Sequence, residues 1–251
     1  PYMKGHTDWM VEKLGSFSRV LTHHVPSNHP KFAVSQPAIP WHVNKTFDQL
    51  VALDMPPKPK TISWVVGNAR DLPGHKKRWA FLKHIQQDRS LNIDLFGRAV
   101  QFIEDKWDGL APYKYSLAIE NSSSPDYWTE KIADCFLSWS VPITYGCTNL
   151  EDYFPPESFI RIHIDPPERG LETVKTILEQ DNWERRIPAL KEARDRVLHR
   201  YQLFPHLSRL IRAQPQRDLK STEILLPAYK RSKRAALNHQ MYKIRKFLNF
   251  S

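Results

Sequence analysis

The sequence predicts an α/β fold with a parallel sheet over residues 60–180, and three observations carry that reading. Apolar runs of strand length, TISWVV, YSLAIE and VPITY, alternate with stretches whose apolar residues recur at helical spacing. The first two runs end in polar or glycine-bearing segments, Gly67-Asn68 and Glu120-Asn121-Ser122, where a strand would hand over to a loop. Alternation at this spacing implies parallel strands joined by right-handed crossovers, a Rossmann-like arrangement.

In chain order, residues 1–60 hold many aromatics, histidines and prolines, with short strands expected at Val20-Leu21 and Phe32-Ala33-Val34. Pro56, Pro57 and Pro59, interleaved with Lys58 and Lys60, read as a stiff extended linker, which puts a boundary between 1–58 and 59–251. Residues 61–66 are a buried strand. Residues 74–88 are a helix with Trp79, Leu82 and Ile85 on one face. A strand at 91–95, a short helix at 99–107, a strand at 115–120 and a helix at 127–139 follow. Strands at 141–145 and 159–164 complete the sheet. Beyond it the chain is mostly helical: Leu171, Val174, Ile177 and Leu178 share a face, as do Ile187, Leu190, Val197, Leu198 and Tyr201. A basic helical tail is expected at about 205–251.

Of the 251 residues, 41% are hydrophobic and 25% charged, which supplies a core, while no run approaches the roughly 18–20 apolar residues of a membrane span. The first residues are polar and mixed, unlike a signal peptide, and the chain opens on Pro1, so a fragment of a longer protein is the expectation. Cys135 and Cys147 give neither a disulfide framework nor metal-ligand spacing, and a reducing, cytoplasmic setting is expected. The net charge is +10, yet seven Lys or Arg and no acid lie between Lys230 and Leu248. The bulk is nearly balanced, which argues against a nucleic-acid partner. The tail is expected either to rest on anionic lipid, making the protein peripheral at a membrane, or to pack Leu237, Met241, Ile244 and Leu248 as a terminal helix.

The chemistry gathers at residues 113–146. A strand, a polar loop carrying Glu120, Asn121, Ser122–Ser124, Asp126 and Tyr127, and a helix opening with Glu130 and Lys131 fall in succession. That unit sets a helix N-terminus at the carboxyl edge of the sheet, where open α/β proteins bind ligands and where backbone N–H groups favour anions. Lys131 adds a full positive charge, and Glu130 can accept hydrogen bonds from sugar hydroxyls. Neither GxGxxG nor GxxxxGK[ST] is present, so a nucleotide-sugar diphosphate suits the pattern better than a dinucleotide. Helix capping by Asp126, Thr129 and Glu130 is the plain alternative. Arg78, near the start of the helix after Gly67-Asn68, is positioned to meet Lys131 across a pyrophosphate, with a solvated basic helix face as its alternative.

These residues carry a resemblance. Lys114, the run LAIENSSSPDYWTEKIADCFLSWSVPITYG, then Pro155-Pro156-Glu157-Ser158-Phe159-Ile160, with SWVVGN and Arg78 upstream, closely resemble the donor-binding domain of family 10 glycosyltransferases, the α-1,3/1,4-fucosyltransferases. The likeness covers residues 60–165. It implies a GT-B fold, with residues 1–58 as the remnant of an N-terminal acceptor-side domain, 59–251 as the donor domain, and an inverting transfer of fucose from GDP-fucose to a glycan or glycolipid hydroxyl. It implies no cofactor and no metal. Arg78 and Lys131 would stabilise the departing diphosphate, while Asn68, Glu120, Asn121, Tyr127, Trp128, Thr129 and Glu130 would line the donor pocket. Gly67, Ile119 and Trp128 depart from the family pattern, which commonly has serine, phenylalanine and a smaller aliphatic residue there.

Such a transferase also needs a general base for the acceptor hydroxyl. Asp8, Glu12 and Asp48 are available, and no motif selects one. His23-His24 reads as a surface pair, since adjacent side chains diverge. Asn44-Lys-Thr and Asn121-Ser-Ser match the glycosylation sequon by chance, because a glycan on Asn121 would block the proposed pocket. Two alternatives remain open at this point: a transferase for another GDP-sugar, with Trp128 responsible, and a non-catalytic module that keeps the nucleotide pocket.

Overall fold

The computed structural model describes residues 17, 19–24, 30–38, 40–98, 100–213 and 240–241. Chain contacts define two compact units, Pro1–Ser35 with Pro215–Ser251, and Gln36–Gln214. In the first, β1 (Val20–Thr22) and β2 (Phe32–Val34) pair in parallel, so both short apolar runs form strands as expected. Asp8, Glu12 and, apart from residues 240–241, the basic tail from Lys230 to Leu248 lie outside the described residues.

The second unit is built on a five-stranded sheet of β3 (Lys60–Val65), β4 (Asp94–Phe96), β5 (Tyr113–Ser124), β6 (Val141–Cys147) and β7 (Ile160–Arg161). The spatial order is β4-β3-β5-β6-β7 and every neighbouring pair is parallel. That satisfies the expected α/β architecture. β5 is central and its first stretch is buried on both faces, which is why Tyr115, Leu117, Ala118 and Ile119 read as an almost continuous apolar run. Two of the helices that pack on the sheet are α2 (Pro73–Gln87) and α3 (Glu130–Leu137), and α4 (Pro167–Gln180) packs against α2. α5 (Trp183–Arg196) and α6 (Leu203–Arg212) follow, joined by a π-turn at Val197–Tyr201.

Four expectations change in detail. Residues 100–107, within the helix expected at 99–107, form no α-helix; a 3₁₀ turn at Lys106–Gly109 takes its place, with Asp105 as its cap. The preceding chain turns at Gly97 (φ +128°) and leaves Phe102 69% exposed, so it has no apolar face to drive a helix. The strand expected at 91–95 is confined to Asp94–Phe96. β5 runs on through Asn121–Ser124, expected as loop, and the helix expected from 127 starts only at Glu130, because Thr129 is its N-cap. On α2, Phe81 joins Leu82 and Ile85 in the core while Trp79 stays half-buried.

The compact unit that carries the sheet begins at Gln36. Val43 and Leu50 enter the core, Leu50 from α1 (Phe47–Ala52), which Thr46 and Gln49 close with a capping box. The Leu50 carbonyl accepts from the buried Arg194, and the His42 N–H donates to Asp134 at 3.0 Å. Lys58 is no free linker residue. Its ammonium donates to the carbonyls of Ala111 (2.7 Å) and Ser138 (2.6 Å), closing the C-terminal ends of the 3₁₀ turn and of α3.

Burial without a carboxylate partner pushes Lys58 down to about 7. Between pH 7 and the ordinary lysine value the unfolded chain therefore holds a proton that the folded chain lacks, so stability rises with pH across that window. Urea unfolding of the wild type and Lys58→Met at pH 7 and pH 9 checks this. The wild type should gain about 1–2 kcal/mol over the variant between the two.

Candidate functional site

In an all-parallel sheet the carboxyl ends of the strands share one edge, and the segments that follow β3 and β5 meet there. α2 begins close against β5, because Gly74 carries no side chain: a Cβ on it would lie 1.6 Å from the Asn121 carbonyl oxygen. One turn later Arg78 is buried, 3% exposed. Its Nη1 donates to Asn121 Oδ1 at 2.5 Å, and its Nη2 to the carbonyls of Gly67 and Ala69, both at 3.1 Å. Its Nε is buried with no hydrogen-bond partner among the described residues. The guanidinium is thus held flat against the ends of β3 and β5 by three oxygens, all from the loop and strand it faces.

Across from it, Thr129 caps α3 by accepting from the Lys131 N–H and donates its hydroxyl to Glu120 Oε1 at 2.5 Å. Lys131 Nζ lies 2.9 Å from Glu120 Oε2 and 3.1 Å from Glu130 Oε1. Burial pushes Glu120 above the usual carboxylate range despite Lys131. For Glu130 burial acts the same way, but Lys131 and then Lys106 outweigh it and hold the carboxyl low. Burial alone would lower Lys131, and the two carboxylates keep it above its ordinary value. Lys131 is a full cation held by two acids.

Arg78 and Lys131 line one small cavity of about 20 Å³, with Gly67, Lys106, Ser116 and Cys135 also in its wall. The two cations chosen from sequence therefore converge, although they come from different helices. Asn121 faces Arg78, so its amide is engaged. Tyr127 is half-buried, and burial and Glu120 push its phenol up. Asn68 stands exposed in the loop after β3. Trp128 does not line the cavity. It is 4% exposed, and its ring meets Phe154 at 5.1 Å and Tyr153 and Tyr201 at 5.7 Å.

Two features escaped the sequence reading. Lys106 lies 2.7 Å from Asp134, whose side chain is fully buried, and nothing local in the sequence signals a pair 28 positions apart. The loop before α3 is also clamped: Asp126 (φ +60°) donates its N–H to Asn149 Oδ1 at 2.7 Å, and its carboxylate accepts from Asn149 Nδ2 at 3.0 Å and Tyr153 Oη at 2.6 Å. An Asp in an apparently loose SSSPD segment is the one signal, since Asp tolerates the left-handed region. Among the described residues no group of three His, Cys, Asp or Glu could hold a metal ion.

The family model Glycosyltransferase family 10 (fucosyltransferase) C-term matches residues 55–182. The 4-galactosyl-N-acetylglucosaminide 3-alpha-L-fucosyltransferase 9 of Homo sapiens is 33% identical over 134 residues, 51% of this chain and 35% of the relative. The Mus musculus protein of the same name gives the same identity and coverage. The match thus spans about a third of the length of these relatives. A solved α1,3-fucosyltransferase with GDP superposes with a TM-score of 0.49 at 19% identity, covering 70% of this chain and 61% of that one.

The packing at Gly74 yields a test of how the site is held. Gly74→Ala cannot be accommodated without moving the α2 start away from Asn121. Overpacking of this kind costs on the order of 1–3 kcal/mol. The expected outcome is a lower urea midpoint at unchanged slope, and an unchanged midpoint would show that α2 does not bear on β5 there.

Proposed function

The chain belongs to glycosyltransferase family 10, and from that premise we propose that it forms the donor-binding part of an inverting, metal-independent transferase moving fucose from GDP-fucose to a hydroxyl of a glycan or glycolipid. The observation that supports this best is the convergence of Arg78 and Lys131, from two helices, on one cavity at the carboxyl edge of the sheet. A nucleoside diphosphate brings negative charge that needs fixed positive partners in a partly dry site. Arg78 offers a planar fork already oriented by Asn121, Gly67 and Ala69, and Lys131 offers a point charge.

In the transfer, the acceptor oxygen forms its bond to the anomeric carbon as the bond from that carbon to the diphosphate oxygen breaks. The electron pair leaves with GDP, and the hydroxyl proton passes to a general base. Charge therefore grows on the diphosphate in the transition state, where Arg78 and Lys131 act. Each charge-assisted hydrogen bond contributes about 1.5–3 kcal/mol. Glu130, held ionised by Lys131 and Lys106 against its burial, is suited to accept from a sugar hydroxyl. Lys131 must then loosen its grip on Glu120 and Glu130 to share its charge with the incoming phosphates. The acceptor site and the base belong to the proposal's other half, and residues 1–58 are proposed to be what this chain carries of it.

A thermal-shift panel of GDP, GDP-fucose, GDP-mannose, UDP and UDP-glucose tests the reading. Ligand at ~100 times Kd adds ~2.7 kcal/mol, or roughly 5–10 °C at ~2–4 °C per kcal/mol. GDP and GDP-fucose should shift the wild type and the uridine compounds should not. Arg78→Ala and Lys131→Ala, each measured against its own ligand-free melting point, should lose most of the shift. A folded wild type that ignores every guanine nucleotide overturns the proposal.

A further inference from the structure

The cavity that holds Arg78 and Lys131 has a third cation in its wall, Lys106. Its position is built. Asp105, the cap of the 3₁₀ turn, accepts from the N–H groups of Trp107 at 2.9 Å and Asn44 at 3.1 Å, and the Lys45 ammonium lies 4.8 Å over the Trp107 ring. The turn is thereby fixed between the segment before α1 and the sheet, and it sends the Lys106 side chain toward α3. There Nζ meets Asp134 Oδ2 at 2.7 Å, while Asp134 Oδ1 accepts the His42 N–H at 3.0 Å. The Lys106 side chain is 17% exposed and that of Asp134 is 0% exposed.

An ammonium carries three donors. Asp134 takes one, and no further hydrogen-bond partner of Lys106 is found among the described residues. The other two therefore belong to a largely buried group in the wall of a cavity that Arg78 and Lys131 also line. Buried donors of this kind need acceptors. Lys106 also helps to hold Glu130 ionised, and the cavity wall gathers Lys106, Arg78 and Lys131, an arrangement suited to an anion with several charged oxygens.

We propose that Lys106 is a third cation of the donor site, contacting a phosphate oxygen of the bound diphosphate while Asp134 and the His42 backbone keep it in place. The inference rests on the donor reading above and adds to it a residue that none of the quoted motifs contains. It also gives the segment before α1 a role at the donor site, because His42, Asn44 and Lys45 all brace Lys106 or its turn.

Calorimetric titration of the whole chain with GDP and with guanosine tests it, since guanosine shares the base and ribose but has no phosphate. Lys106→Met alone would strand a buried carboxylate, so the variant used is Lys106→Met combined with Asp134→Asn, alongside Lys106→Arg. In the double variant GDP affinity should fall about tenfold to a hundredfold, as expected for one lost charge-assisted hydrogen bond, with guanosine affinity changed less than about threefold. Lys106→Arg, which keeps the charge, should retain most of the GDP affinity. Equal losses for GDP and guanosine would make Lys106 a support of the fold and overturn the proposal, as would a GDP affinity that does not change. A wild type that binds neither ligand would instead overturn the donor reading on which it rests.

Discussion

Glu120 is the group on which the site's geometry depends. A carboxylate 2% exposed at the end of an apolar strand is costly unless it is both paired and hydrogen-bonded. Thr129 and Lys131 supply those partners, and in doing so they tie the first turn of α3 to β5 where its apolar run ends. Room for the side chain comes from the neighbouring strand: a Cβ on Gly146 would lie 2.6 Å from the Glu120 side chain, and Gly146 also adopts a φ of +149° that favours glycine. The strand, the helix start and the next strand are thus fixed by one buried acid. Its charge also reaches Arg78, whose guanidinium burial lowers and Glu120 supports.

This arrangement means that the cations of the cavity are charge-balanced from within. Lys131 has two carboxylates, Lys106 has one, and Arg78 rests on neutral oxygens and the field of Glu120. Cations left unpaired at this depth would favour neutralisation or disorder over preorganisation. Paired ones keep their geometry without ligand, which is what electrostatic stabilisation of a leaving group requires.

How much of this was legible follows from the range of each interaction. The strands at Lys60–Val65 and Val141–Cys147 and the helix Pro73–Gln87 were readable because their signals are local, an apolar run or a period with a proline at the start. Arg78 and Lys131 were readable through motif spacing together with the rule that parallel strands share a carboxyl edge. Lys106 was not, since residues 99–107 were read as a helix and the Asp134 pair exists only through the fold. The contacts of segment 36–58 were hidden for a similar reason. Its prolines announce an extended chain, and extended chain between domains looks the same in sequence as extended chain stapled by Lys58 to two helix ends.

Trp128 shows how tertiary packing decides what a departure from a family pattern means. A tryptophan where a smaller aliphatic residue is common adds volume that must go somewhere, and beside Tyr127 and Thr129 the pocket was the natural candidate. The ring instead stands edge-on to Tyr153, Phe154 and Tyr201, at interplanar angles of 71°, 69° and 78°, in the geometry that aromatic quadrupoles favour. Ile119, 1% exposed, lies in the same core cluster. Gly67 leaves space in which a Cβ would sit 3.4 Å from Arg78 Nη2, an ordinary contact. Ile119 and Gly67 are in the cavity wall and Trp128 is not, so the reason for assigning a different donor sugar to Trp128 falls away. Under the proposed function, discrimination among sugars then rests with polar groups beside the two cations, Asn121 against Arg78 and Glu130 against Lys131, with Tyr127 in the loop that the Asp126–Asn149 clamp holds.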